Sequence, residues 1–183
     1  IAVRLVLDGR IAPRAVVGLD AALTPWRGVR AELFPLIARA AAGARLPARL
    51  FAHRADAAQV RRLLDGVGSR LDPRGVELYR RLLSRAGHAG AALQMMAQWR
   101  LEPVHEGLAR LGVPLTLVVG ERDAAAPPAQ AREAAGRAAG SRVELVAGAG
   151  HLAHEEAPAR VAELIEAAAA RAGLPTAMEE DGG

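Results

Sequence analysis

Two residues of this chain combine a type and a placement suited to acid–base chemistry. Asp123 closes the run Gly120-Glu121-Arg122-Asp123, directly after the apolar stretch Val113 to Val119, and His151 closes Gly148-Ala149-Gly150-His151, shortly after the stretch Ser141 to Val146. The stretch Val113 to Val119 reads as a parallel strand covered on both faces, and Ser141 to Val146 as a further strand. Open α/β sheets place ligands and chemistry at the carboxyl ends of such strands. An imidazole titrates near neutral pH, so it can take a proton and return it. A carboxylate behind it holds the ring tautomer and stabilises the imidazolium. Acid and histidine are thus in place for a nucleophile, base and acid to work together. The bland alternative makes Asp123 a cap for the next helix and His151 a loop histidine.

The nucleophile is the missing partner. The three serines, Ser69, Ser84 and Ser141, all lie outside any Gly-x-Ser-x-Gly turn, and the chain has no cysteine. Acyl transfer through a covalent intermediate needs an activated nucleophile beside the base, so this chain is expected not to run it alone. Asp20 follows the short β-branched run Ala15 to Leu19 and is a second candidate for the acid; a turn or helix cap is its structural alternative. The run His151, His154, Glu155, Glu156 has metal-binding residue types, but its order is not His-Glu-x-x-His, and acids near a helix start ordinarily complement the helix dipole. No metal and no cofactor is assigned.

The elements that position these residues follow from periodicity. Ile1 to Asp8 reads as helix, Ala15 to Leu19, Val113 to Val119 and Ser141 to Val146 as strands, and Pro128 to Ala139 as an Ala-rich helix stopped by Gly140. A last helix opens at Pro158, with Val161, Leu164, Ile165 and Ala168 predicted on one face. The stretch from Thr24 to Gly112 lacks strand-like runs and reads as several helices. Asp72-Pro73 starts one, with Val76, Tyr79, Leu82 and Leu83 as its apolar stripe; Ala89 to Trp99 and Glu102 to Leu111 make two more. The prediction is an α/β core at 1–23 and 113–172, an all-helical cap at 24–112 inserted between two strands, and a polar disordered tail at 173–183. Three parallel strands in sequence order leave the first with an unpaired edge, so the chain reads as the C-terminal part of a larger domain.

Composition bounds the function. Every one of the 24 basic residues is Arg, 20 acids stand against them, and the net charge is only +4. Arginines scattered among acids at helical spacing, with two Trp, one Tyr and two Phe in the whole chain, form no basic stripe interleaved with aromatics, which argues against nucleic acid as a partner. No apolar run reaches transmembrane length and no secretory pattern opens the chain, so a soluble cytoplasmic protein is the expectation.

The second half, Val113 to Asp123 and Gly150 to Pro158, resembles the last strands of an α/β-hydrolase. The insert is more specific. Gly68-Ser69-Arg70-Leu71-Asp72-Pro73-Arg74-Gly75-Val76-Glu77-Leu78-Tyr79 and Gly87 to Trp99 resemble the magnesium-chelatase accessory protein of bacteriochlorophyll synthesis, as do Leu7-Asp8-Gly9 and Val17 to Leu23. Asp20 departs from that pattern, which has Asn there. The resemblance covers Ile1 to about Ala168 and implies a nucleophile elbow just before the position of Ile1. It further implies a role beside the chelatase that inserts Mg2+ into protoporphyrin IX, with protoporphyrin or Mg-protoporphyrin and the chelatase subunits as partners. Met95, Met96 and Trp99 would then line a cleft for a flat apolar macrocycle beneath the lid, since thioethers adapt to such surfaces. His88 and His105 are conceivable axial ligands, with cap packing as the plainer role. A generic hydrolase of small esters, epoxides or C–C bonds, using an upstream nucleophile, is the competing reading.

Overall fold

The computed structural model describes residues 1–25 and 56–175. The part of the predicted cap at 26–55 and the part of the predicted tail from 176 onward lie outside the described residues. The chain divides into two units. One comprises Ile1–Thr24, Val67–Ser69 and Leu101–Gly183; the other comprises Pro25–Gly66 and Arg70–Arg100.

The first unit is built on a parallel sheet, and the sequence accounts for its order. Helix α1 (Ala2–Leu7) leads to strand β1 (Val16–Leu19). Strand β2 (Leu115–Gly120) lies between β1 and β3 (Arg142–Val146), giving the order β1-β2-β3. Val16 is registered with Leu115, and Thr116 with Arg142. β2 is buried along its whole length, as its unbroken apolar run requires. The strand period of two divides its side chains between two cores. Leu115, Leu117 and Val119 join Val3, Val16, Leu108, Leu111, Ala131, Ala134 and Ala138 on one face. Val118 joins Val146, Ala149, Ala153, Val161 and Leu164 on the other. Leu117 is wholly buried; full burial of such a side chain stabilises by about 1.5–3 kcal/mol. β1 is an edge strand among the described residues. Its side chains at Val17 and Leu19 pack against the second core, on one face of the sheet.

The helices covering the sheet begin and end where their residues dictate. Helix α5 (Glu102–Gly107) carries Pro at its first turn and runs into a 3-10 turn, Leu108–Arg110. That helix belongs with the sheet, through the wholly buried Leu108. Helix α6 (Pro128–Arg137) stops short of the predicted end because Ala138 is already extended, and Gly140 takes the left-handed backbone. The short helix α7 (Ala153–Glu156) precedes α8 (Pro158–Arg171). On α8 the buried face is Val161, Leu164 and Ala168, while Ile165 is exposed. At about 100° per residue, Ile165 lies at the edge of the sector those three define. The start of the predicted tail is ordered: Gly173, at φ +68, closes α8 as the amides of Gly173 and Leu174 donate to Ala170 and Ala169.

The second unit is helical in its described part: α2 (Ala57–Gly66), α3 (Pro73–Leu83) and α4 (Ala86–Ala97). Asp72 caps α3 as its residue type predicts, with Oδ1 accepting from the Gly75 amide at 2.7 Å. Val76 is its buried anchor, with Tyr79 and Leu83 half-buried. Leu82 is exposed, so the stripe is narrower than the sequence pattern implies.

Candidate functional site

The carboxyl ends of β1, β2 and β3 bring together three residues from three loops. Asp123 lies in the turn after β2, His151 in the loop after β3, and Asp20 directly after β1. Nδ1 of His151 is 2.9 Å from Oδ2 of Asp123. The Asp123 carboxyl is fully enclosed, whereas a third of the His151 side chain is exposed. Its second oxygen accepts from the amides of Ala125 and Ala126, each at 2.8 Å. Asp123 therefore serves as a turn cap and as the imidazole's partner at once, so the two readings of its role coexist. With Nδ1 engaged by the carboxylate, the ring's Nε2 is the nitrogen that can exchange a proton with a bound molecule.

Asp20 stands differently. Its backbone is left-handed, φ +44, the only such non-glycine position among the described residues. Oδ1 accepts from the Gly120 amide at 2.8 Å and Oδ2 from the Ala153 amide at 3.1 Å. Both oxygens are thus occupied by main-chain donors. Asp20 ties the ends of β1 and β2 to the start of α7, which the short side chain and the tolerance of Asp for this backbone permit.

The electrostatics are coupled across the three. The hydrogen bond that the ring donates to Asp123 raises the His151 imidazole above its ordinary 6.5; burial opposes this, and the charges of Asp123 and Asp20 add to the rise. Burial pushes the Asp20 carboxyl up from 3.8; the Gly120 and Ala153 amides pull it down, Asp123 raises it and His151 lowers it. For a histidine raised in the folded state, the stabilising proton is fully bound below the unfolded value and is lost as pH rises through the folded one. The melting temperature of the intact protein should therefore fall as pH climbs above 6.5. In Asp123→Asn that part of the slope should vanish, and a calorimetric series in pH steps checks both.

The other candidate residues fall elsewhere. Ser69 is wholly buried and its Oγ accepts from the Leu152 amide at 2.9 Å; Ser84 donates to the Arg80 carbonyl and Ser141 to those of Ala135 and Ala138. No serine hydroxyl is paired with His151. His105 is buried at the sheet unit's helix α5, Nδ1 lying 3.2 Å from the Leu23 carbonyl and Nε2 3.5 Å from Glu133. His154 pairs with Glu155 at 3.7 Å, while Glu156 accepts from the Gly150 amide and meets Arg122. Among the described residues no cluster of three or more His, Cys, Asp or Glu could hold a metal ion. On and just after α4, Met95 and Trp99 are exposed and Met96 is half-buried; His88 is exposed on the same helix. The bonds of Asp20 and Ser69 were not legible in the sequence, because their partners are main-chain amides far along the chain.

Residues 1–164 match the alpha/beta hydrolase family. Over 158 residues, 86% of the chain, it is 37% identical to a protein named magnesium-chelatase 30 kDa subunit from Rhodobacter capsulatus, of whose length it spans 55%. Among solved structures it is similar to MenH from S. aureus, with TM-score 0.70 and 17% identity over 94% of this chain and 64% of that one. A thermophilic esterase from Thermogutta terrifontis is also similar, with TM-score 0.66 and 22% identity over 87% of this chain and 56% of that one. At these identities the two structures share the fold.

Proposed function

The chain belongs to the alpha/beta hydrolase family, and on that premise we propose that it is an accessory protein for magnesium insertion into protoporphyrin IX in bacteriochlorophyll synthesis. The architecture is the C-terminal part of an α/β-hydrolase fold, three parallel strands with flanking helices, joined to a helical insertion. The observation that carries the proposal is the 37% identity to the magnesium-chelatase 30 kDa subunit over 158 residues. An alignment of that length takes in most of the helical insert as well as the core. The insert is the part of a lidded α/β fold that selects ligands, so likeness there speaks to function more directly than likeness in the sheet.

In this reading the protein works in the cytoplasm beside the chelatase subunits and binds protoporphyrin or Mg-protoporphyrin through Met95, Met96 and Trp99. No helix among the described residues is long and apolar enough to cross a membrane. Titrating full-length protein with protoporphyrin should quench its tryptophan fluorescence, and Trp99→Leu should weaken that response about tenfold, the scale of losing one aromatic anchor. Absence of any response, together with unchanged chelatase turnover when the protein is added, defeats the proposal.

One observation favours a second reading. The 2.9 Å contact of His151 with Asp123 is the geometry of a base held by its acid. A hydrolase of small esters, epoxides or C–C bonds would use His151 as base and Asp123 as acid, with a nucleophile upstream of Ile1. Rapid hydrolysis of simple esters by full-length protein indifferent to porphyrin would establish that reading instead.

A further inference from the structure

Three residues outside the sheet and its own helices hold the two loops of the acid–base pair together. The Val67 carbonyl accepts from the Ala124 amide and from the His151 amide, each at 3.3 Å. One oxygen thereby bridges the residue after Asp123 to His151 itself. Gly68 comes next with φ +80, and a Cβ there would overlap the Arg122 carbonyl and lie 2.9 Å from its carbon. The opposite contact is as tight, since a Cβ on Gly150 would meet Gly68 and sit on the Ser69 amide. Ser69 completes the strap: wholly buried, it accepts the Leu152 amide on Oγ at 2.9 Å. Arg122, Ala124, Gly150, His151 and Leu152 are thus all in register with Val67, Gly68 and Ser69.

We infer that Val67-Gly68-Ser69 is the positioning segment of the Asp123–His151 pair. It rests on reading that pair as a working acid and base, under either proposed activity. The segment touches no substrate in this proposal; it acts by fixing the distance between two loops.

The test is a nitrogen-15 NMR titration of His151 in the full-length protein, which needs neither porphyrin nor ester and so stands apart from the fate of either functional reading. Asp123 and Asp20 are the charged groups acting on this ring. Loosening the strap in Gly68→Ala or Ser69→Ala should move the His151 midpoint down toward 6.5, with Ser84→Ala as an unaffected control. Amide exchange at His151 should quicken about tenfold, the order expected on losing one buried hydrogen bond. Two folded variants with wild-type midpoint and exchange overturn the inference. Should the variants fail to fold, the wild type decides: the Ala124 and His151 amides share one acceptor and should open together, and protection factors differing more than about tenfold overturn it.

Discussion

Gly120→Ala should destabilise the intact protein by about 4 kcal/mol, above the usual ~1–3 kcal/mol of overpacking because the obstacle is backbone. Gly120 is the last residue of β2 and runs directly beneath the loop that carries His151. A Cβ would overlap the Gly150 carbonyl and lie 2.7 Å from the Ala149 oxygen. Neither can withdraw cheaply. The Ala149 carbonyl accepts the Arg122 amide at 2.8 Å, and the Gly150 amide donates to Glu156. The Gly120 amide is itself committed to Asp20. The melting temperature should drop by several degrees. A change of less than about 1 kcal/mol in denaturant melts would show that the loop yields and that the close approach is incidental.

Asp123→Ala should cost about 3 kcal/mol, because it strands three donors at once. The amides of Ala125 and Ala126 lose their acceptor, and the imidazole loses its partner. The Asn variant separates these roles. Its single carbonyl oxygen can still accept the two amides, so most of the stability should return, within about 1 kcal/mol of wild type. The raised imidazole should not return, since a neutral amide cannot replace the carboxylate charge. If Ala and Asn are equally destabilising, the turn is not held by Asp123 and the contact with His151 is its whole contribution.

The pair was legible in the sequence, and the reason is physical. Each residue comes shortly after a strand-like run, and the strand end fixes where the next loop and its side chains must lie; β2 is buried throughout, whereas β3 is fully buried only at Val146. Asp72-Pro73 was legible for the same reason: a local cap needs only residues three apart. The features that could not be read depend on closure in space. Asp20 reaches Ala153 across 133 positions, and its preference for two main-chain donors over the imidazole leaves no trace in residue types. Ile165 was placed on the buried face of its helix, although it lies at that face's edge and is exposed. Residue types do not mark Val67–Ser69 as a strap, and only the paired approach of Gly68 and Gly150 reveals why glycine stands at both.

The span of these ties bears on how the protein comes into being. Asp20 binds Gly120 across 100 positions and Ala153 across 133, and Ser69 binds Leu152 across 83. Each tie must be closed by a long loop before it returns any free energy, and the entropy of that closure delays it relative to helix formation. Synthesis runs from the amino end, so α2 and α3 can form while the ribosome still holds the residues that will surround His151. The loops that carry Asp123 and His151 then come together late, after β3 has left the exit tunnel. Until that moment the edge of β2 that β3 will cover stays unpaired, and it is there that the nascent chain is most prone to wrong pairing.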